Sequence, residues 1–235
     1  MIEKIILSLD LNEKKKIYKL IDETEELIEF YKVGIIPYLL DGKEIIKVLK
    51  NKNKKVFLDL KFFDIPNTVK NAAKIVYENR IDMFSVHLMA GKEVIERIVE
   101  VKKEVKSETK VIGISILTSY KEEDLKFLSI NMCIKDIVEK LAEYGYNWGI
   151  DGIVCSGEEI EFLRKKYPPH FLIIVPGIRM KTEKDDQKRV VTAKEALKKG
   201  ADFIVIGRPI YENPNPKNII LKLKEEIENV KKDVD

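Results

Sequence analysis

The chain has 235 residues, of which 45% are hydrophobic, and 43 basic against 40 acidic residues give a formal net charge of +3. That length buries a core without disulfides or a structural metal, and so small and evenly spread an excess of positive charge is no footprint for nucleic acid. Cys133 and Cys155, His87 and His170 are too few and too scattered for a zinc cluster, and the thiols read as reduced.

Short apolar runs rich in β-forming residues alternate with longer helical patterns along the whole chain, the pattern of βαβ units in a parallel sheet. The first strand is expected at Lys4–Asp10. No signal-peptide apolar region precedes it, and no run is long enough to cross a bilayer, so the expectation is a cytoplasmic protein with no membrane partner. Further strands are expected at Glu29–Val33, Lys55–Leu60, Asp82–His87, Lys110–Ile116, Asp151–Cys155, Phe171–Val175 and Ala201–Ile206. Between them fall helical patterns at Thr68–Asn79, Lys92–Val105, Ile134–Tyr144 and Thr192–Lys198, the last with Gly200 as its C-cap. An amphipathic segment at Asn218–Lys231 closes the series.

Eight such units in this length predict a single (β/α)8 barrel domain over residues 1–235. A doubly wound sheet is the alternative, but it usually has fewer strands and often opens on a Gly-rich fingerprint that this chain lacks. The lysine-rich run Lys50-Asn51-Lys52-Asn53-Lys54-Lys55 reads as a solvated loop.

Barrel enzymes put their chemistry where strands end and βα-loops begin. The expected strand ends carry Asp10, Lys32, Asp59 with Lys61 and Asp64, His87, Thr118 with Ser119, Ser156, Pro176 to Arg179, and Gly207-Arg208. Asp10 has an alternative reading as the N-cap of the first helix, and Lys32 as a solvent-facing lysine. The D-x-K-x-x-D block, Asp59-Leu60-Lys61-Phe62-Phe63-Asp64, is the most specific feature. Strand alternation would send Asp59 and Lys61 to one face and Leu60 to the other. Two carboxylates bracketing an ammonium serve packing poorly; a surface ion-pair network is the plain alternative. At the eighth strand end, Gly207 permits close backbone approach to a ligand, and Arg208 with the amides of a helix starting near Pro209 suits a phosphate. The seventh loop adds Arg179 and the polar stretch Lys181–Arg189.

With those residues in view the chain resembles orotidine 5′-phosphate decarboxylase of the bacterial type over nearly its full length. The likeness rests on Leu7-Ser8-Leu9-Asp10, Tyr31-Lys32-Val33-Gly34, Asp59 through Val69, Val86-His87, Leu117-Thr118-Ser119, Pro176-Gly177-Ile178-Arg179-Met180, Asp186-Gln187-Lys188-Arg189-Val190 and Gly207-Arg208. The resemblance implies decarboxylation of orotidine 5′-monophosphate to uridine 5′-monophosphate, the last step of de novo pyrimidine synthesis, with no metal or organic cofactor. It further implies a homodimer. Lys61 would donate the proton to C6, Asp59 would lie beside the substrate carboxylate, and Lys32 would complete the charge array. Asp64 would reach into the partner's site. Asp10 and Lys32 would meet ribose hydroxyls, Thr118 and Ser119 the pyrimidine, and Arg179, Gly207 and Arg208 the phosphate. Gln187 would bridge phosphate and base, while Ile65 and Thr68 are further substrate-binding positions. Two residues depart from the bacterial pattern: Phe63 replaces a common histidine, and Gly91 stands alone where a glycine pair is usual. Both are expected to alter packing rather than chemistry.

Loss of carbon dioxide from this ring leaves an electron pair on C6 that no π-system delocalises, so fixed charge in a water-excluded site must stabilise and protonate it. Carboxylates beside an ammonium favour its charged form. Two rivals differ in kind. The related 3-keto-gulonate-6-phosphate decarboxylases and hexulose-phosphate synthases share a D-x-K-x-x-D core but resemble metal-dependent enzymes of sugar phosphates. A catalytically silent phosphate-binding barrel would be a scaffold.

Overall fold

In a computed structural model, which describes residues 2–178 and 191–232, eight parallel strands are hydrogen-bonded in chain order into a closed barrel. The strands are β1 (Ile5–Ser8), β2 (Phe30–Gly34), β3 (Lys55–Phe62), β4 (Met83–His87), β5 (Lys110–Ile114), β6 (Gly152–Val154), β7 (Leu172–Val175) and β8 (Phe203–Ile206). The helices are α1 (Lys14–Thr24), α2 (Ile35–Asn51), α3 (Pro66–Glu78), α4 (Lys92–Glu104), α5 (Glu122–Phe127), α6 (Ile134–Trp148), α7 (Ile160–Lys166), α8 (Ala193–Lys198), α9 (Arg208–Tyr211) and α10 (Pro216–Lys232). Every strand expected from the sequence is present: six are trimmed at their ends, β2 is shifted one residue toward the C-terminus, and β3 runs two residues further, through Lys61 to Phe62.

The chain divides into two compact units, Met1–Leu60 with Val175–Asp235, and Lys61–Ile174. In the first, β1 lies between β8 and β2, with Ile6 opposite Val205 and Phe30, and β2 pairs with β3 so that Gly34 stands opposite Asp59. Ile5, Ile6, Leu7, Tyr31, Val33 and Val56 are fully buried, as the near-continuous apolar runs of a parallel sheet require. Phe30 meets Phe203 edge to face at 5.6 Å, and the buried Tyr31 hydroxyl finds Thr24 Oγ1 at 3.0 Å. Asp41, at φ −168°, interrupts α2, and its carboxylate accepts from the Tyr18 hydroxyl at 2.6 Å and pairs with Lys14. The lysine-rich run after α2 is less solvated than its composition suggests, because Lys52 pairs with Glu25 and with Asp22 at 3.2 Å, and Lys54 donates to the Glu25 carbonyl.

In the second unit β4, β5, β6 and β7 pair in turn, with Ser85 opposite Ile112 and Gly113 opposite Ile153. Asp151 ties this sheet to α4: its carboxylate accepts from the Val111 amide at 2.7 Å and from Lys102 Nζ at 2.6 Å, with Lys110 3.7 Å away. Its removal leaves a half-buried ammonium and a buried amide without their acceptor. Asp151→Ala is therefore expected to cost about 2 kcal/mol and to lower Tm by about 4–8 °C in a thermal melt. A Tm within one degree of the parent would show the cluster to be as weak as an exposed ion pair.

Helix ends match the sequence in places. Thr192 caps α8 through a reciprocal pair with Glu195, and Gly200 follows that helix at φ +107°. Gly91 takes φ +94° as the N-cap of α4. Asp10 is not the N-cap of α1, which starts at Lys14 behind Glu13. Cys133 is exposed, Cys155 is buried, and both are free thiols.

Candidate active site

In the first unit, three charged residues at successive strand ends come within ion-pair distance. Lys32 Nζ lies 2.8 Å from Asp10 Oδ2 and 3.4 Å from Asp59 Oδ2. Lys32 and Asp59 are each only 8% exposed, so Lys32 is no solvent-facing lysine. The Ser8 hydroxyl donates to the same Asp10 Oδ2 at 2.6 Å, which fixes the carboxylate from the strand side. The pairing of β1 with β2 continues past Ser8, because the Leu9 amide donates to the Lys32 carbonyl at 3.0 Å, and this brings Asp10 abreast of the lysine. Gly34 completes the arrangement by having no side chain. A Cβ there would stand 2.4 Å from Asp10 Oδ1 and 3.0 Å from Lys32 Nζ.

The eighth strand end belongs to the same unit. Gly207 is the N-cap of α9, Pro209 sits in its first turn, and Arg208 is exposed. A Cβ on Gly207 would press on Ser8 Cβ at 3.2 Å and on the Tyr211 ring at 3.1 Å, so the turn and the Asp10 anchor share a wall.

In the second unit, Lys61 departs from what strand alternation led us to expect. It lies inside β3 but has φ +50°. Among the described residues four other non-glycine residues have positive φ, namely Asn53, Arg80, Lys106 and Ser129, and each follows the C-cap of a helix. For a lysine within a strand this conformation is strained by about 1–3 kcal/mol, the kind of strain that collects at working sites. Period-two reasoning assumes extended backbone at each step, so it does not fix the direction of this side chain relative to Asp59. The Lys61 amide donates to Ser85 Oγ at 2.9 Å. Phe62 packs on Phe84 with ring centroids 5.6 Å apart, and Phe63 stacks on His87 at 5.2 Å. Phe63 is thus a largely exposed platform rather than a core residue.

Burial first, and then the positive charge of Lys61, hold the His87 pKa below the ordinary value of 6.5. The Met89 amide donates to His87 Nδ1 at 3.3 Å, as a neutral ring permits. A lowered histidine pKa favours the folded state fully above about 6.5 and weakens it as pH falls through the lowered value. Beyond the strand, Asp64 Oδ1 accepts from the Ile65 amide at 2.6 Å just ahead of Pro66, the first residue of α3. Asp64, Ile65 and Thr68 are exposed, and so are Thr118 and Ser119 past β5. Arg179 and Gln187 lie outside the described residues, as do Met180 and the stretch 181–190. Among the described residues no group of three or more His, Cys, Asp or Glu could hold a metal ion, and no helix is long and apolar enough to cross a membrane.

Three residues of these clusters had no role assigned from sequence: Ser8, Gly34 and Ser85. Ser8 is two residues from Asp10, a spacing that could have suggested contact. Ser85 is a lone hydroxyl in the apolar run from Met83 to Val86, and a buried polar group of that kind needs a partner.

Residues 3–223 match the family described as Orotidine 5′-phosphate decarboxylase / HUMPS family. An orotidine 5′-phosphate decarboxylase of Aquifex aeolicus is 42% identical over 234 residues, covering 95% of this chain and 99% of that protein. One of Carboxydothermus hydrogenoformans is 37% identical over 235 residues, covering 98% of each. Among solved structures, orotidine 5′-phosphate decarboxylase from Lactobacillus acidophilus superposes with a TM-score of 0.84 at 30% identity, covering 96% of this chain and 99% of that one.

Proposed function

Because the chain belongs to the orotidine 5′-phosphate decarboxylase / HUMPS family, in which its full-length relatives are decarboxylases, we propose that it converts orotidine 5′-monophosphate to uridine 5′-monophosphate and carbon dioxide. This is the closing step of de novo pyrimidine synthesis. The observation that carries the reading is the buried Lys32 held between Asp10 and Asp59; Lys61, with its strained backbone, follows Asp59 by two residues in the chain.

In this mechanism the bond between C6 and the carboxylate carbon breaks and its electron pair stays on C6. The Lys61 ammonium gives that carbon a proton, and the lysine takes one back from solvent after product leaves. Asp59 stands beside the departing carboxylate. Lys32 neutralises Asp59 and Asp10 in the ground state and orients both. A preorganised array costs no reorganisation as the carbanion forms, which makes it worth more than the same charges in water. Asp10, with Lys32, holds the ribose hydroxyls. Thr118 and Ser119 face the pyrimidine; Gly207 and Arg208, with Arg179, grip the phosphate, and Gln187 links phosphate to base. Binding that remote phosphate supplies energy to close the site over the base.

The working form in this proposal is a homodimer, with Asp64 entering the partner's site and the substrate-binding positions Ile65 and Thr68 close by in sequence. Their exposure, with Ile65 at 66%, supports it: an apolar side chain left in water beside an acid gains from a surface that covers it. The enzyme is expected to act in the cytoplasm as one catalytic domain, without a metal, nucleic acid or membrane.

Gly34→Ala probes the first cluster. Its methyl group must displace the Asp10 carboxylate or the Lys32 ammonium, and we expect kcat/KM to fall by about 10- to 100-fold, mostly through KM. Steady-state rates unchanged from the parent would mean that the Asp10–Lys32 geometry does not bind substrate. For the reaction itself, the fall in ultraviolet absorbance of the orotidine nucleotide is followed with EDTA present. Turnover that survives EDTA is expected. Turnover abolished by the chelator and restored by magnesium would favour the sugar-phosphate rival, and tight binding of uridine 5′-monophosphate without turnover would favour a scaffold.

A further inference from the structure

We propose that Ser85 is a positioning residue for Lys61: its hydroxyl holds the left-handed turn of β3 from which the lysine side chain departs, so that β4 sets where the proton donor stands. The inference rests on the decarboxylase reading, and it assigns work to a residue outside the charge array.

The geometry is specific. Lys61 is the sole non-glycine residue among those described that takes positive φ within a strand. Such a conformation persists only where the surroundings over-determine it. Two neighbouring residues of β4 do so. Ser85, 0% exposed, accepts the Lys61 amide at 2.9 Å, and Phe84 packs its ring on Phe62 at 5.6 Å. His87, two residues further along β4, carries the Phe63 ring at 5.2 Å. Three consecutive residues of the β3 exit are therefore registered against one strand.

The backbone conformation matters because a lysine ammonium sits at the end of a long flexible stem. Turning φ from the extended range to +50° redirects the Cα–Cβ bond, and everything beyond it follows. If the amide loses this acceptor, a part-buried N–H loses its bond to β4 and the strained turn has less to hold it. The residue then relaxes toward extended backbone, and the amine leaves its place over the reacting carbon. Ser85 acts only through Lys61, so its effect should appear in the chemical step and in the binding of groups charged at C6, and not in the binding of uncharged product.

The test compares Ser85→Ala, Ser85→Cys and Ser85→Thr with the parent. Readouts are kcat for the orotidine nucleotide, Kd for uridine 5′-monophosphate, and Kd for 6-hydroxyuridine 5′-monophosphate, whose C6 oxyanion stands where the carbanion forms. Ser85→Ala is expected to lose about 10- to 100-fold in kcat and a matching factor in oxyanion affinity, with product affinity changed by less than about threefold. Ser85→Thr keeps the acceptor and should recover most of the loss; Ser85→Cys, a weak acceptor of similar size, should fall between. In a Lys61→Ala background, Ser85→Ala should weaken the oxyanion by less than about twofold, since residues acting as one unit are not additive.

Unchanged kcat in Ser85→Ala would overturn the proposal. So would a parallel loss of product affinity, or an undiminished effect without the lysine. Independent of turnover, the Ser85→Ala crystal structure should show Lys61 back at negative φ; a φ still near +50° overturns the inference even if the enzyme decarboxylates as proposed. Parent protein without decarboxylase activity sinks the functional reading instead.

Discussion

Lys61→Ala is expected to lower kcat for the orotidine nucleotide by about 10³-fold or more while uridine 5′-monophosphate affinity stays within about threefold. Two losses combine in that number: the general acid that delivers the proton, and the positive charge that stabilises the electron pair while it sits on C6. Product carries neither the carboxylate nor the carbanion, so its binding, made through phosphate, ribose and base, should hardly register the change. This split separates a transition-state role from a structural one. A comparable loss in product affinity would point to local collapse of the β3 exit, and a loss of less than tenfold would remove Lys61 from the chemistry.

The second large effect concerns Asp64. Lys61→Ala and Asp64→Ala proteins should each be nearly inactive, the latter by about 10²-fold or more if the carboxylate fixes the proton donor. Mixing the two and allowing subunits to exchange should restore activity, because each heterodimer contains one site in which both residues are intact. At random exchange half of the dimers are mixed and half of their sites are complete, so about a quarter of the parental activity is expected. The exposed stretch of Asp64, Ile65 and Thr68 at the start of α3 motivates the experiment. Heterodimers detected by native mass spectrometry without recovered activity would place Asp64 in the site of its own subunit.

The strands were easy to read because parallel barrel strands are buried on both faces and write themselves as apolar runs, as in Ile5-Ile6-Leu7 and Ile204-Val205-Ile206. Charge at the strand ends was readable for the same reason: Asp10, Lys32 and Asp59 follow runs that no packing argument would end with an ionised group. Their partners were less so. Asp10 stands three residues ahead of Glu13, the N-cap of α1, and its carboxylate is taken instead by the neighbouring Ser8 hydroxyl and by Lys32, a partner distant in sequence that helix-cap rules do not consider. The turn at Lys61 was hidden because period-two alternation has no term for a single residue entering the left-handed region, and lysine does not advertise it as glycine would. The break in α2 at Asp41 had one local mark, the Asp41-Gly42 pair, while the contacts of its carboxylate with Tyr18 and Lys14, distant in sequence, had none. Gly34 was visible only as a glycine; its purpose, to leave room for a carboxylate and an ammonium, is a matter of three dimensions.

One crystal structure decides whether a fixed amine quenches the carbanion. With 6-hydroxyuridine 5′-monophosphate bound, Lys61 Nζ should lie about 3 Å from the oxygen on C6, with Asp59 close beside it. An ammonium turned toward bulk solvent, with the nucleotide bound elsewhere on the barrel, would contradict the mechanism at its root.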